Sequence, residues 1–98
     1  MIPLHLEFQD GWTGEHVVVR LDGGIVAEAA PTTRMQIGLA EALVVEVEPG
    51  PHVLTVEIAD AALAAEHAFD ASTETWVGIS RVDGTVAFRE QQTLFGYV

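Results

Sequence analysis

Short stretches in which apolar and polar residues alternate run along most of the chain. The first contains Leu4, Leu6 and Phe8, separated by His5 and Glu7. A period of two places successive side chains on opposite faces, which is typical of a β-strand with one buried face. Similar segments lie at 17–21, 24–29, 34–39, 43–47, 53–58, 74–82, 85–91 and 94–97. The pattern predicts seven to nine short strands.

Residues that favour tight turns separate these segments. Asp22-Gly23-Gly24 and Asp83-Gly84 are typical of hairpins, because Gly and Asx residues adopt the positive φ of a type I′ turn at low cost. Pro49-Gly50 is typical of a type II turn. Turn signals recur about every 8 to 12 residues, as in small all-β domains. Residues 1–98 therefore predict one all-β domain, a single antiparallel β-sandwich.

The segment 59–68 is ambiguous because it is rich in alanine. Its helix propensity is the highest in the chain, and Asp60 is available as an N-cap, so a helical turn or two is one interpretation. Alanine buries little area, however. The interpretation we favour is a crossing connection of about five residues, followed by a strand from Ala64 to Ala71.

The Asp83-Gly84 turn sets the register of the last hairpin. A two-residue turn places Ile79 opposite Phe88 and Trp76 opposite Gln91. With Ile79 and Phe88 inside, Trp76 falls on the outer face, diagonal to Arg89. The same alternation predicts a core that consists of Leu6, Phe8, Val17, Val19, Leu21, Val45, Val47, Leu54, Val56, Ile58, Ile79 and Phe88.

The amino-acid composition limits the classes of partner that the protein is expected to bind. The 98 residues carry 15 acidic and 4 basic side chains, a formal net charge of −11, and the basic residues are all arginines. No basic cluster could neutralise phosphates, so we expect no nucleic acid and no anionic membrane as a partner. The lack of cysteine leaves the redox compartment undecided. The first residues, however, alternate like a strand rather than a signal peptide. We therefore expect a cytoplasmic protein.

Two hairpin motifs carry a family resemblance. Val17-Val18-Val19-Arg20-Leu21-Asp22-Gly23-Gly24 is followed by Glu48-Pro49-Gly50-Pro51-His52-Val53-Leu54-Thr55-Val56. Over residues 15–60 this arrangement resembles PEGA-type and carboxypeptidase-regulatory-like domains, which are small transthyretin-like sandwiches. The resemblance implies a transthyretin- or Ig-like fold and a non-catalytic accessory or interaction role.

Polar residues show no grouping that is typical of catalysis. The four histidines lie on separate segments, so we expect solvated or turn-bound imidazoles, with no metal and no cofactor. We expect His52 to bond turn backbone. Ser72 and Ser80 lie outside any G-x-S-x-G elbow. The sequence therefore predicts a protein that is not an enzyme.

Aromatic residues supply the candidate binding site, which consists of Trp76, Arg89, Trp12 and Tyr97. Trp76 would be exposed and stacked on Arg89 unless a further layer or the C-terminal segment covers it. Trp12 is either a staple under the first turn or an exposed anchor. Phe95 is expected to dock into the core.

The predicted function is a protein-interaction or assembly module, because the domain is small and its edge strands are free to pair. We expect a protein partner or self-association, with a homodimer as the most plausible form. The alternative is a sandwich that binds a carbohydrate or another small ligand on Trp12, Trp76 and Tyr97.

Overall fold

The computed structural model describes residues 1–34 and 36–97 and contains eight named strands. The strands are β1 (Ile2–Phe8), β2 (Val17–Leu21), β3 (Gly24–Ala29), β4 (Glu41–Val47), β5 (Gly50–Ile58), β6 (Leu63–Ala71), β7 (Thr75–Val82) and β8 (Thr85–Gln91). They form two four-stranded sheets. Sheet 1 has the order β4-β1-β7-β8, and sheet 2 has the order β3-β2-β5-β6. The predicted all-β sandwich is confirmed.

One neighbouring pair among these strands, β1 with β7, is parallel, whereas the prediction was antiparallel throughout. Parallel neighbours require a long connection between them. Here the connection is the rest of the fold: the chain leaves sheet 1 after β1, builds β2 and β3, adds β4, forms β5 and β6, and returns as β7.

The hairpin predictions are confirmed. Asp22 and Gly23 both have positive φ, as do Asp83 and Gly84, which is the conformation of type I′ turns. The pairing of β7 with β8 places Ile79 opposite Phe88, as the turn predicts. For 59–68 the predicted strand is confirmed as β6, but the predicted crossing connection is wrong, because a 3₁₀ turn over Ala59–Ala61 joins β5 to β6 as antiparallel neighbours in sheet 2.

The predictions of strands at 34–39 and at 94–97 are wrong. At 34–39 the described residues form a turn, in which the Arg34 carbonyl accepts hydrogen bonds from the N–H groups of Ile37 and Gly38 at 3.1 and 2.9 Å; Met35 lies outside the described residues. Gly38 has a φ of 67°, which a strand does not contain. At 94–97 the chain is irregular, because its side chains rather than its backbone contact the sheet.

The core lies between the two sheets and contains most of the predicted residues. Three predicted core residues are only half-buried: Leu21, Val45 and Phe88. Val45 and Phe88 lie on edge strands, which lack a neighbour on one side, and Leu21 ends β2. Core residues outside the predicted set are Leu4, Trp12, Phe69 and Ala71, whereas Val77 shares the predicted inner face of β7 with Ile79 and is buried as well.

The two long sides of the sandwich are closed differently. Between β6 and β8, the His67 ring stacks on Phe88 with centroids 5.2 Å apart, and His67 Nε2 lies 2.8 Å from Glu90 Oε1. β3 and β4 end the two sheets on the opposite side. There Ile25 and Val44 are exposed by 54% and 58%. Apolar surface is therefore left uncovered on the β3 and β4 side.

Candidate functional site

Trp76 lies on the outer face of sheet 1, as the register predicts, but the prediction that it is exposed is wrong. Only 8% of the residue is accessible. Its ring stacks on His5 from the neighbouring strand, with centroids 4.4 Å apart and planes 7° from parallel. His5 in turn bonds Glu74 at 2.6 Å. Trp76 is therefore covered within its own chain and offers no platform to a partner or ligand.

Trp12 is the staple rather than the exposed anchor, because 1% of it is accessible. Its indole Nε1 donates a hydrogen bond to the Ile79 carbonyl at 2.9 Å, and its ring meets Phe8 edge to face at 5.2 Å. Gly11, with φ of 83°, shapes the loop so that this ring enters the core. Trp12 stabilises the fold and is not available for binding.

Arg89 and Tyr97 are brought together by the C-terminal segment, defined here as 93–97. The guanidinium of Arg89 lies 5.4 Å from the centre of the Phe95 ring, instead of on Trp76. Phe95 is therefore half-buried against the outer face of sheet 1, and the expectation that it enters the core is wrong. Gln91 holds the segment by donating from Nε2 to the carbonyls of Thr93 and Leu94 at 2.8 and 3.0 Å.

Tyr97 fastens the end of this segment to β1. Its hydroxyl donates to Glu7 Oε1 at 2.5 Å and accepts from Gln9 Nε2 at 3.0 Å. Burial, followed by the hydrogen bond to the Glu7 carboxylate, raises the pKa of Tyr97 to about 12. Glu7 is only 9% exposed although it lies on an outer face. The phenol therefore stays protonated and satisfies a buried carboxylate.

A polar cavity of about 220 Å³ lies between this segment and the sheet. Residues from four parts of the chain line it: Gln9, Asp10, Ile37, Gly38, Arg89, Gln91, Phe95, Gly96 and Tyr97. Two of the four predicted site residues, Arg89 and Tyr97, thus share one cavity, while Trp12 and Trp76 lie elsewhere. Sequence reasoning did not find Gln9 or Gln91, since isolated glutamines carry no signal.

Each of the four histidines lies next to a carboxylate. The partners are Glu74 for His5, Glu28 for His16, Asp22 for His52 and Glu90 for His67, at 2.6, 3.2, 2.6 and 2.8 Å. In the part of the chain that the structure describes, no group of three or more His, Cys, Asp or Glu side chains could hold a metal ion. The imidazoles are used in pairs that join neighbouring segments.

His52 makes the most specific of these pairs. Its Nδ1 lies 2.6 Å from Asp22 Oδ2, and its Nε2 lies 2.6 Å from the Glu48 carbonyl, so the predicted bond to turn backbone is confirmed. Both partners accept hydrogen bonds, so the arrangement favours the protonated ring, in which both nitrogens donate. The hydrogen bond that His52 donates to Asp22, and then the one that it donates to the Glu48 carbonyl, raise the pKa of His52, and the bond between the two side chains lowers the pKa of Asp22. The pair ties the β2–β3 turn to β5.

The free edge of β3 is the second candidate surface. Ile25 and Val26 are exposed by 54% and 38%. Between Val19 and Arg20 the register with β2 shifts, so Val26 has no partner residue across the ladder. A sequence signal for this surface exists in hindsight, because Ile25, Val26 and Ala27 are consecutive apolar residues in a strand where a solvated face would alternate.

Comparison with known proteins assigns no family: no family model matches the chain, and no curated protein matches it. The resemblance to PEGA-type and carboxypeptidase-regulatory-like domains stays a prediction. Among the described residues, no helix has the length and apolar character to cross a membrane.

Proposed function

We propose that this protein is a non-catalytic interaction module that self-associates as a homodimer through the free edge of β3. The observation that carries the proposal is the exposure of two adjacent apolar side chains, Ile25 and Val26, on a strand that ends its sheet. Edge strands with exposed apolar residues pair readily with other chains, and natural proteins protect them when pairing is harmful.

The charge of the edge strands favours β3 over β4 and β6. A chain with a net charge of −11 repels its own copies, so contact is least unfavourable where carboxylates are few. β3 has Glu28 as its one charged residue, and it contains no proline and no lysine that would protect it. β4 and β6 each carry two carboxylates. On β8 the charges of Arg89 and Glu90 offset each other, but His67 of β6 contacts Phe88 and Glu90 there, so this edge is partly covered within the chain.

Apolar side chains would supply most of the contact energy at this edge. The register shift beside Val26 interrupts the regular ladder, so a continuous backbone ladder between two copies is short at best. Burial of Ile25 and Val26 against the same residues of a second copy removes apolar surface from water, which is the main favourable term in association. A two-fold arrangement makes the contact self-complementary.

The ligand-binding alternative has less support. A sugar platform needs accessible ring faces, whereas Trp12 and Trp76 are 1% and 8% exposed, and Tyr97 is half-buried with its hydroxyl in use. The non-catalytic role stays a proposal that rests on the sequence, in which no catalytic grouping was found. The absence of nucleic acid and membrane partners and the cytoplasmic location remain proposals that rest on the sequence.

The test is the mass in solution, measured by sedimentation equilibrium across a wide range of concentration. We expect the wild-type mass to rise from that of one chain toward twice that value. Ile25→Glu should hold the mass at one chain, because it places a carboxylate in the contact of an already acidic protein. Because Ile25 is exposed by 54%, we expect this variant to stay folded, and circular dichroism verifies the fold.

The matched control is Val82→Glu, which adds the same charge at a residue that is 47% exposed at the end of β7. This variant should dimerise with nearly the affinity of the wild type, reduced only slightly by the repulsion between the added negative charges. A wild-type protein that keeps the mass of one chain at every concentration would overturn the proposal. Equal loss of the dimer in both variants would also contradict it, because net charge rather than the β3 edge would then decide.

A further inference from the structure

The cavity beside Arg89 is built from four separate segments of the chain. The end of β1 contributes Gln9, the turn before β4 contributes Gly38, β8 contributes Arg89, and the C-terminal segment contributes Tyr97. Its volume of about 220 Å³ is below the 300–1,000 Å³ that is usual for drug-sized ligands. The space therefore suits one small polar group and not a ring system or an oligosaccharide.

Most hydrogen-bonding groups at this cavity already have partners, and among the described residues the side chains of Arg89 and Asp10 are the exceptions. Tyr97 uses its hydroxyl with Glu7 and Gln9, and Gln91 uses its amide with the backbone of 93–94. Among the described residues, Arg20 and Arg81 pair with carboxylates at 2.9 and 3.2 Å, whereas Arg89 has no such partner. Its guanidinium is exposed, and the contact with Phe95 restricts its position.

A guanidinium presents parallel N–H donors that match the two oxygens of a carboxylate. We propose that this cavity binds a carboxylate group that has an N–H donor close to it, as in an acylated amino acid or the C-terminus of a peptide. Arg89 holds the carboxylate, and Asp10 on the cavity wall accepts from the neighbouring N–H. The net charge of −11 disfavours each added negative charge, so a monoanion fits better than a phosphate.

The site is independent of the proposed dimer contact. Arg89 lies on β8 at one end of sheet 1, whereas Ile25 lies on β3 at the far end of the other sheet. A protein that fails to dimerise can still bind a carboxylate here, and the reverse also holds. The two proposals are therefore tested by separate readouts.

The experiment is a titration of the whole chain with N-acetylglycine, followed by two-dimensional NMR of the side-chain amides and the arginine Nε–H groups. We expect saturable shifts at Arg89, Gln9 and Gln91. The neutral isostere N-acetylglycinamide should bind at least about tenfold more weakly, the ratio expected for loss of a charge-assisted hydrogen bond. A tripeptide with a free C-terminus, compared with its C-terminal amide, tests the peptide source in the same way.

Arg89→Gln should weaken binding of N-acetylglycine by at least about tenfold, whereas Arg89→Lys keeps the charge and should lose less. The control is Arg34→Gln, which removes an exposed arginine that does not line the cavity and should leave binding unchanged. The Tyr97 ring resonances report whether the C-terminal segment stays in place in each variant. Linear shifts without saturation, or equal binding of the acid and the amide, would overturn the proposal. Equal binding by the wild type and Arg89→Gln would do the same.

Discussion

The two tryptophans are both buried, yet the structure predicts opposite responses when each is replaced by phenylalanine. The Trp12 indole N–H donates to the Ile79 carbonyl at 2.9 Å. The Trp76 indole N–H is buried and has no hydrogen-bond partner among the described residues. Trp12→Phe and Trp76→Phe remove the same atoms, so each variant serves as the control for the other.

The magnitude for Trp12→Phe follows from two losses. Ile79 O also accepts the Gln9 N–H at 2.8 Å, so the carbonyl is not left unpaired, and the lost hydrogen bond costs about 1 kcal/mol. The smaller ring leaves roughly 40 Å³ unfilled, which costs about 1 kcal/mol at 24 cal/mol per Å³. The expected decrease in the free energy of unfolding is about 2 kcal/mol, or roughly 8–16 °C in melting temperature for a domain of this size.

Trp76→Phe has a similar packing loss but removes a buried donor that carries a desolvation cost. That cost is about 1 kcal/mol or more for an unpaired N–H, so the two effects offset each other. A phenyl ring can still stack on His5, which lies 4.4 Å away in the wild type. We therefore expect a change near zero in the free energy of unfolding.

The assay is urea unfolding followed by far-ultraviolet circular dichroism, with the midpoint compared at a constant m-value. Equal destabilisation by the two variants would refute the reasoning, because it would mean that the Trp76 N–H has a partner of its own. A change in the m-value would instead indicate that the unfolded or folded state has changed its compactness, and the comparison would then rest on the melting temperature.

Two further predictions concern titratable groups. The pKa of His52 is raised above 6.5, and that of Asp22 is lowered below 3.8. Their pair therefore contributes fully to the free energy of unfolding between about pH 4 and 6.5. This contribution is lost as the pH rises through the pKa of folded His52, or as it falls through the pKa of folded Asp22. His52→Gln should therefore lower the melting temperature more near pH 6 than near pH 9, and a pH-independent effect would contradict the assignment. Tyr97 is the only tyrosine, so phenolate absorbance reports it alone and should show a midpoint near 12. Glu7→Gln should move that midpoint toward 10, while Glu46→Gln, at an exposed residue of β4, should not. A wild-type midpoint at 10 would show that the segment is detached.

Local features of the sequence were enough to predict most of the strands and the faces of their side chains. Alternation with period two depends on neighbours in the chain, and type I′ turns depend on residues such as Asp83 and Gly84, which tolerate positive φ. For that reason the register of β7 with β8 and the outward direction of Trp76 were both predictable before any coordinates. The apolar pattern at 34–39 misled the prediction, because Gly38 allowed a turn in its place.

Only the tertiary structure decided what covers each face. Trp76 is buried because β7 lies beside β1 in a parallel pair, and that pair brings His5 onto its ring. Tyr97 and Glu7 are separated by 90 positions in the chain, yet their hydrogen bond places the C-terminal segment over sheet 1 and creates the cavity beside Arg89. Periodicity determines the side of a strand on which a residue lies, whereas its exposure depends on contacts between residues that are distant in the chain, and one sequence has no local signal for those contacts.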